Sequence, residues 1–161
     1  MYEDLEKPQN LEAEQAVLGV LVGNPDSAIE IMEEVKSSDF LDNRHRILFE
    51  VIYSMFDVGK KIDMVTITEE IKEFGMEDSI PLAYIAQITT STPSLSSGKQ
   101  YAQIVRKNSQ LRSIIETSTK IAIDAYREDI KLDQISVLET HMNGFSDLGR
   151  SKRVSVKEVM K

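Results

Sequence analysis

The sequence predicts an all-α protein, and two observations carry that prediction. Apolar residues recur every three or four positions along most of the chain, as they do on the buried face of a helix. Glycine and proline stand between these stretches, at places where helices stop and start. No stretch shows the apolar–polar alternation of a half-buried strand. The expected architecture is a compact helical bundle followed by a protruding antiparallel helical hairpin.

The first helix is expected to begin after Asn10, which can cap its N-terminus. Glu12 and Glu14 then lie in its first turn, where carboxylates complement the positive end of the helix dipole. Residues two apart on a helix point about 200° apart, so these two do not form a catalytic carboxylate pair by themselves. Both are interpreted as charges of the first helical turn.

Gly19 stands in the middle of this first helix, which Asn24 and Pro25 end. Glycine inside a helix costs roughly 1 kcal/mol relative to alanine, so a compensating contact is expected. We expect another helix to pack closely against Gly19, and the helix that contains Ile47 to Phe56 is the expected neighbour.

Single residues mark the ends of the next helices. The third helix is expected from Asn43 to Val58, with Gly59 as its C-cap. A fourth is expected to open at Asp63 or at Thr66, because each can cap a helix N-terminus. Gly75 is expected to end it.

A pair of long helices is expected in the second half of the chain. A fifth helix from about Pro81 to Ile88 comes first, and a loop rich in Ser and Thr follows it. The longest helix is expected from about Lys99 to Arg127. After the acidic turn at Glu128 and Asp129, a final helix carries apolar residues at spacings of three, four and three, the a/d pattern of paired helices. Two such helices joined by a short turn predict an antiparallel hairpin.

The 161 residues suit one domain, within which we distinguish three parts. Residues 1–93 are expected to form a globular helical head. Residues 94–146 are expected to form the hairpin. Residues 147–161 are interpreted as a linker and the start of a linker helix.

Composition excludes several classes of protein. The net charge of −8 argues against a general nucleic-acid-binding surface, so DNA contact by this chain is expected to be weak or absent. The chain has no Cys, which excludes disulfides, thiolate metal sites and Cys nucleophiles. It has no apolar run near the ~20 residues that span a bilayer and no N-terminal signal peptide. A cytoplasmic protein without membrane attachment is expected.

The sequence contains none of the common catalytic or nucleotide-binding motifs. The Walker A pattern is absent, as are GxGxxG and GxSxG. The two histidines, His45 and His141, lie far apart without metal-ligand spacing around them. His45 is interpreted as a surface or capping histidine. No cofactor or metal is expected, and an interaction module is favoured over a small enzyme that uses buried carboxylates.

Two basic clusters interrupt the acidic sequence. The first consists of Lys99, Arg106, Lys107 and Arg112. The second is the tail, which includes Arg150, Lys152 and Arg153. The first cluster is interpreted as a solvated helix face, with an acidic partner or sister subunit as the alternative. The tail is interpreted as a solvated linker, with an acidic partner or nucleic acid as the alternative.

Six motifs follow one another along most of the chain. They are PxNLEAEQAVLG (Pro8 to Gly19), DF-x(4)-HRILFEVI (Asp39 to Ile52), GKKIDMVTITEEI (Gly59 to Ile71), AYIAQI, TPS and YAQIVRKNSQLRSII (Tyr101 to Ile115). In this order they resemble the N-terminal domain of DnaB-type replicative DNA helicases. The segment from Ile80 to Ala83 and the segment from Ser97 to Gln100 depart from the family pattern. These departures favour a divergent member, phage-encoded or from a Gram-positive bacterium.

The resemblance implies a role in assembly. It implies that hairpins pair between subunits and that the domains form a collar, as a trimer of dimers, above a ring of motor domains. It also implies primase and a helicase loader as partners. ATP and Mg would bind a C-terminal ATPase domain that these 161 residues lack, so no catalysis is expected here. The alternative is a standalone, phage-type regulator that mimics the collar domain.

The resemblance places self-association and partner binding on the hairpin faces. The residues expected there are Leu111, Arg112, Ile115, Ile135, Leu138, Met142 and Phe145. The alternative is that these residues only close the hairpin on itself.

Leu138→Asp is expected to weaken dimerisation while the head stays folded, because it places a charge in the a/d seam. Light scattering measures the mass and circular dichroism the helicity. An unchanged mass at unchanged helicity would contradict the assignment.

Overall fold

The computed structural model describes residues 3–128 and the helical residues 134–136, 138–140 and 142–143. All regular structure in this part of the chain is helical, which confirms the predicted fold class. Three residues of the predicted final helix are described and helical, namely Ile135, Leu138 and Met142. Other predicted positions lie outside the described residues: His141, Phe145, Arg150, Lys152 and Arg153.

Residues 3–128 form six α-helices. These are α1 (Leu11–Gly23), α2 (Ala28–Glu34), α3 (Asn43–Asp57), α4 (Met64–Glu73), α5 (Leu82–Ser91) and α6 (Gly98–Tyr126). Two short 3₁₀ turns, Pro25–Ser27 and Ser37–Asp39, flank α2. The predicted bounds of α3 and α6 are confirmed to within one residue at each end.

Local capping explains where the helices begin. The Asn10 side chain accepts a hydrogen bond from the amide of Ala13 at 2.9 Å, as predicted for the start of α1. At α4, the carboxylate of Asp63 accepts from the Thr66 amide at 2.9 Å, and the Thr66 hydroxyl accepts from the Asp63 amide at 3.0 Å. This reciprocal pair is a capping box, so Asp63 is the N-cap of α4 and Thr66 lies inside the helix.

Two glycines end α3 and α4 as predicted. Gly59 has a φ angle of +72° and Gly75 one of +67°. Side chains disfavour this left-handed conformation, whereas glycine adopts it at no steric cost. The chain therefore turns sharply at both places.

α1 is the central helix of the core. Every residue from Ala16 to Val22 is buried, so apolar side chains leave this helix on all sides. A helix that is apolar all round is stable only when other elements cover it. α5 and α3 provide this cover.

Gly19 lies where α1 and the end of α5 approach most closely. A Cβ atom at Gly19 would lie 2.9 Å from the carbonyl oxygen of Ile88 and would collide with the side chain of Thr92. The predicted close packing is confirmed, but the expected neighbour was wrong, because α5 and not α3 fills this position. The Thr92 hydroxyl folds back onto the Ile88 carbonyl at 2.8 Å, which keeps the crossing narrow.

The chain divides into two compact units. Unit 1 comprises Met1–Ser113 and unit 2 comprises Ile114–Lys161. Unit 1 contains α1 to α5 and the first part of α6, where Ala102 and Val105 are buried. The head–hairpin boundary predicted at residue 93 stays a prediction, although the first turns of α6 belong with unit 1.

Gly19→Ala is expected to lower the free energy of unfolding by about 1–3 kcal/mol, because the new methyl group forces α1 and α5 apart. Urea denaturation followed by circular dichroism measures the change. Gly23→Ala is the matched control on the same helix, since its Cβ would meet only the flexible side chain of Leu95. Equal effects of the two substitutions would contradict the close-packing explanation.

Candidate functional site

A buried polar network joins three helices inside unit 1. It consists of Glu14 on α1, His45 on α3 and Tyr84 on α5, and we call it the Glu14 network. Glu14 exposes 2% of its surface and His45 none. Nδ1 of His45 lies 3.3 Å from a carboxylate oxygen of Glu14, and Nε2 lies 2.7 Å from the Tyr84 hydroxyl. These contacts connect positions that are far apart in sequence.

The carboxylate of Glu14 also holds the segment that leads into α3. It accepts hydrogen bonds from the amide of Leu41, at 2.7 and 3.1 Å, and from the amide of Asp42 at 3.3 Å. Asp42 is itself the N-cap of α3 and accepts from the Arg44 amide at 2.8 Å. Backbone N–H groups at a helix start have no partner within the helix, and a carboxylate satisfies them well. Glu14 therefore fixes the start of α3 from the neighbouring helix.

The hydrogen-bond partners determine the roles of the His45 nitrogens. An ionised carboxylate only accepts, so Nδ1 carries the proton and donates to Glu14. Nε2 of a neutral imidazole then accepts from the Tyr84 hydroxyl. With neutral His45, all three side chains are satisfied by one another. Among the described residues, no buried side-chain nitrogen or oxygen lacks a partner.

Arg44 covers the outer end of the network. Its guanidinium lies 4.2 Å from the centre of the Tyr84 ring, within the range of a cation–π contact. It also donates to the carboxylate of Asp42 at 2.9 Å. This hydrogen bond lowers the pKa of Asp42 below its usual value. Arg44 thus holds the Tyr84 ring in place from the solvent side.

Two sequence-based interpretations are corrected by the Glu14 network. Glu14 was interpreted as a charge at a helix start, but it is a buried acceptor, because the segment before α3 brings two amides to it and α3 brings an imidazole. His45 was interpreted as a surface or capping residue, but it is fully buried between Glu14 and Tyr84. The sequence offers one signal for the burial of His45, which is its position beside the apolar face of α3. It does not indicate which side chains His45 contacts.

The network supports structure rather than chemistry. Its polar atoms are taken up by one another and by backbone amides, as they are in networks that fix the packing of a core. In the part of the chain that the structure describes, no group of three or more His, Asp or Glu side chains is arranged to hold a metal ion. None of the helices described combines the length and the apolar character that crossing a bilayer requires.

A second polar cluster attaches the first part of α6 to the other segments of unit 1, and we call it the Arg112 clamp. The guanidinium of Arg112 donates to the carbonyl of Pro8 at 2.9 Å and to the carbonyl of Asp39 at 2.7 Å. Ser109, one turn earlier, donates to the Asp39 carboxylate at 2.7 Å. Arg112 is 9% exposed. The interpretation of this arginine as part of a solvated face is therefore wrong, because its guanidinium is buried and donates hydrogen bonds to two backbone carbonyls.

The other members of this basic cluster lie nearer to solvent. Lys99 and Lys107 are exposed, as the solvated-face interpretation predicts. Arg106 is partly exposed, and its guanidinium lies 3.7 Å from the carboxylate of Glu34.

The opposite side of α6 carries uncovered apolar residues. We call it the α6 apolar face; it comprises Ile104, Leu111, Ile115, Ala122 and Ala125. These positions follow the spacing of a paired helix, and all five are exposed. No residue of α6 after Arg112 is buried. A stripe of this kind on a long helix indicates a surface that another element covers.

The predicted association residues therefore occupy different environments. Leu111, Ile115, Ile135 and Met142 are exposed, Leu138 is half-buried and Arg112 is buried. Phe145 and the three linker arginine and lysine positions lie outside the described residues. A role of these side chains in contacts between subunits stays a prediction.

The family follows from comparison with known proteins. The family model described as the DnaB-like helicase N terminal domain matches residues 6–107, more than half of the chain. The chain belongs to this family. The matched region contains the whole Glu14 network, together with Pro8 and Asp39 of the Arg112 clamp. Ser109 and Arg112 lie just after its end.

Relatives of this DnaB-like domain are replicative helicases. It is 35% identical to the replicative DNA helicase DnaC of Bacillus subtilis (strain 168) over 134 residues, which is 82% of this chain and 30% of the relative. It is 32% identical to the replicative DNA helicase DnaB of Geobacillus stearothermophilus over 127 residues, 78% of this chain and 28% of the relative. The 161 residues thus span less than a third of these helicases, and the match includes no ATPase domain.

The fold of this DnaB-like domain is also found among solved structures. It is similar to the crystal structure of the N-terminal domain of DnaB helicase from Mycobacterium tuberculosis, with a TM-score of 0.79 and 24% identity. The similarity covers 86% of this chain and 99% of that one. At this identity the likeness concerns the fold, and it confirms the helical architecture.

Glu14→Gln is expected to lower the free energy of unfolding by about 1–3 kcal/mol, because the glutamine amide nitrogen cannot accept the second hydrogen bond from the Leu41 amide and the neutral carbonyl is a weaker acceptor for Asp42 and His45 than a carboxylate. Thermal and urea denaturation measure this change. Glu12→Gln is the matched control, since Glu12 is exposed on the same helical turn and should change stability by less than about 0.5 kcal/mol. Equal losses for both variants would show that net charge, and not the buried network, is responsible.

Proposed function

We propose that this chain is the collar domain of a hexameric replicative helicase and that it assembles subunits through helix pairing. One observation carries the proposal: the α6 apolar face has heptad spacing, and Ile115 on it remains 43% exposed. Membership in the DnaB-like family supports it, since relatives of this chain are named as replicative DNA helicases. In this role the domain performs no catalysis, and ATP and Mg are bound by the motor domain of the complete helicase.

The proposed assembly is a homodimer that a full-length protein extends to a trimer of dimers. A second helix that covers apolar residues at a/d positions lowers the free energy, because it removes their surface from water. The α6 apolar face, together with Ile135, Leu138 and Met142, is the proposed surface. Arg112 is not part of it, because its side chain is engaged within unit 1.

The collar is further proposed to receive primase and the helicase loader in the cytoplasm. This part of the proposal rests on family membership. Binding of the 161-residue chain to the primase of the same organism, measured by titration calorimetry, tests it. Heat of binding that saturates at a fixed ratio supports docking, and the absence of binding at any concentration overturns it.

Cross-linking tests the self-association directly, because the native chain has no Cys. Ile115→Cys is expected to give a covalent dimer with a short bis-maleimide reagent. Ser113→Cys is the matched control: it is exposed, but it lies two residues away and points about 200° from Ile115 on the helix. It should give far less dimer. Sedimentation of the unaltered chain at several concentrations provides the dissociation constant.

Two outcomes would contradict the proposed pairing. Equal cross-linking at both positions would indicate random collision rather than a defined face. A chain that stays monomeric at all concentrations, with no cross-link at Ile115→Cys, would remove self-association through α6 from the proposal.

A further inference from the structure

Three large apolar side chains of unit 1 are exposed where α3 and α4 end. Phe56 is 36% exposed and Val58 is 67% exposed, and both lie at the end of α3. Phe74 directly follows α4 and is 56% exposed. A single exposed apolar residue is ordinary, but a group of them indicates a surface that another molecule covers. We call Phe56, Val58 and Phe74 the Phe74 patch.

Lys60 joins the end of α3 to the second half of α4. Its ammonium group forms a salt bridge with the carboxylate of Glu70. The hydrogen bond to Glu70 raises the pKa of Lys60 above its usual value, and the nearby charge of Glu73 acts in the same direction. Phe74 follows Glu70 by four residues, which places the two on one side of α4. Val58 lies two residues before Lys60, so the exposed apolar residues belong to one surface.

The segment that carries the patch is strongly acidic. Residues 56–78 contain seven carboxylates and three lysines, a net charge of −4, which is half of the −8 of the whole chain. The three lysines form salt bridges inside this segment, which are Lys60–Glu70, Lys61–Asp63 and Lys72–Glu69. Within residues 3–128, no salt bridge involves the four remaining carboxylates, and all four are exposed: Asp57, Glu73, Glu77 and Asp78. An uncompensated negative charge therefore surrounds the Phe74 patch.

The sign of this charge decides which class of partner fits the patch. Carboxylates repel the phosphates of nucleic acids and the headgroups of anionic lipids. They attract lysine and arginine, and complementary charges of this kind favour the correct partner over others. The aliphatic stems of lysine and arginine also cover apolar surface while their charged ends meet carboxylates. The fitting partner is therefore a polypeptide segment that is both basic and apolar.

We propose that the Phe74 patch and the carboxylates beside it bind a basic amphipathic helix of a partner protein. Apolar side chains of that helix, at spacings of three and four residues, cover Phe74 and Val58. Lysines or arginines on the flanks of the helix pair with Glu73 and the other exposed carboxylates. The patch lies in unit 1 and shares no residue with the α6 apolar face. The inference is therefore independent of the proposed pairing of subunits.

A synthetic amphipathic peptide of leucine and lysine tests this surface. It is about 14 residues long, which gives roughly four helical turns, and its leucines stand at helical spacing. The peptide is titrated into the full chain, and the shifts of the backbone amide signals are followed by NMR. Fluorescence anisotropy of the labelled peptide gives the dissociation constant. A peptide with glutamate in place of every lysine is the matched control.

Four variants of the full chain separate the patch from the rest of the acidic surface. Phe74→Ser removes the more exposed aromatic ring of the patch, and Glu73→Lys reverses a charge beside it. Ile29→Ser and Glu33→Lys are the matched controls on α2. Ile29 is 60% exposed and also has acidic neighbours, so it resembles Phe74 in exposure and in local charge. Circular dichroism checks that every variant keeps its helicity.

The leucine–lysine peptide is expected to bind the unaltered chain saturably and to shift amide signals within residues 56–60 and 70–78. Phe74→Ser should weaken this binding by about tenfold, because buried aromatic side chains carry much of the affinity of an interface. Glu73→Lys should weaken it by roughly threefold or more, and this effect should fall as salt is added. Ile29→Ser and Glu33→Lys should bind as the unaltered chain does.

Several results would overturn the proposal. They are the absence of peptide binding to the unaltered chain, equal affinities for all four variants, and equal binding of the peptide that carries glutamate. If Phe74→Ser lowers the mass of the assembly in sedimentation and leaves peptide binding unchanged, a second copy covers the patch and the basic partner is excluded. Cross-linking at Ile115→Cys tests the pairing of subunits separately, so peptide binding without that cross-link removes the pairing alone.

Discussion

The buried carboxylate of Glu14 is the constraint on which the rest of unit 1 depends. A charge that is removed from water is tolerated only when hydrogen bonds replace the lost hydration. Here the replacements come from two backbone amides before α3 and from His45, which Tyr84 holds in turn. These groups belong to α1, α3 and α5, so the charge is satisfied only when the three helices take their native positions. The network therefore selects one arrangement of an otherwise non-directional apolar core.

Close packing around α1 provides the stabilisation that such a network alone does not. The absence of a side chain at Gly19 lets α5 approach α1, and Gly98 brings α6 against Ile31 and Val20 in the same manner. Burial of aliphatic side chains on every side of α1 then supplies the main driving force for folding. The local helix cost of glycine is offset by contacts that a larger residue would prevent.

α6 shows how this packing leaves one side of a helix uncovered. One side of the first part of α6 packs within unit 1, through Ala102, Val105 and the Arg112 clamp. The other side of the helix is apolar and exposed. The first part of α6 cannot rotate within unit 1 without breaking hydrogen bonds to two backbone carbonyls. The exposed side is the surface on which the proposed self-association rests.

The sequence by itself determined the helical fold class, several of the helix ends and the family. Asn10, Asp63, Gly59 and Gly75 act on residues within a few positions of themselves, so their effect is visible in any short window of sequence. The environments of Glu14, His45 and Arg112 were decided only by the tertiary structure. Their partners lie between 27 and 104 residues away along the chain, and a charged or polar residue looks the same in sequence whether water or a distant backbone group satisfies it. Only the packing of the helices, which brings those groups within hydrogen-bonding distance, decides between the two.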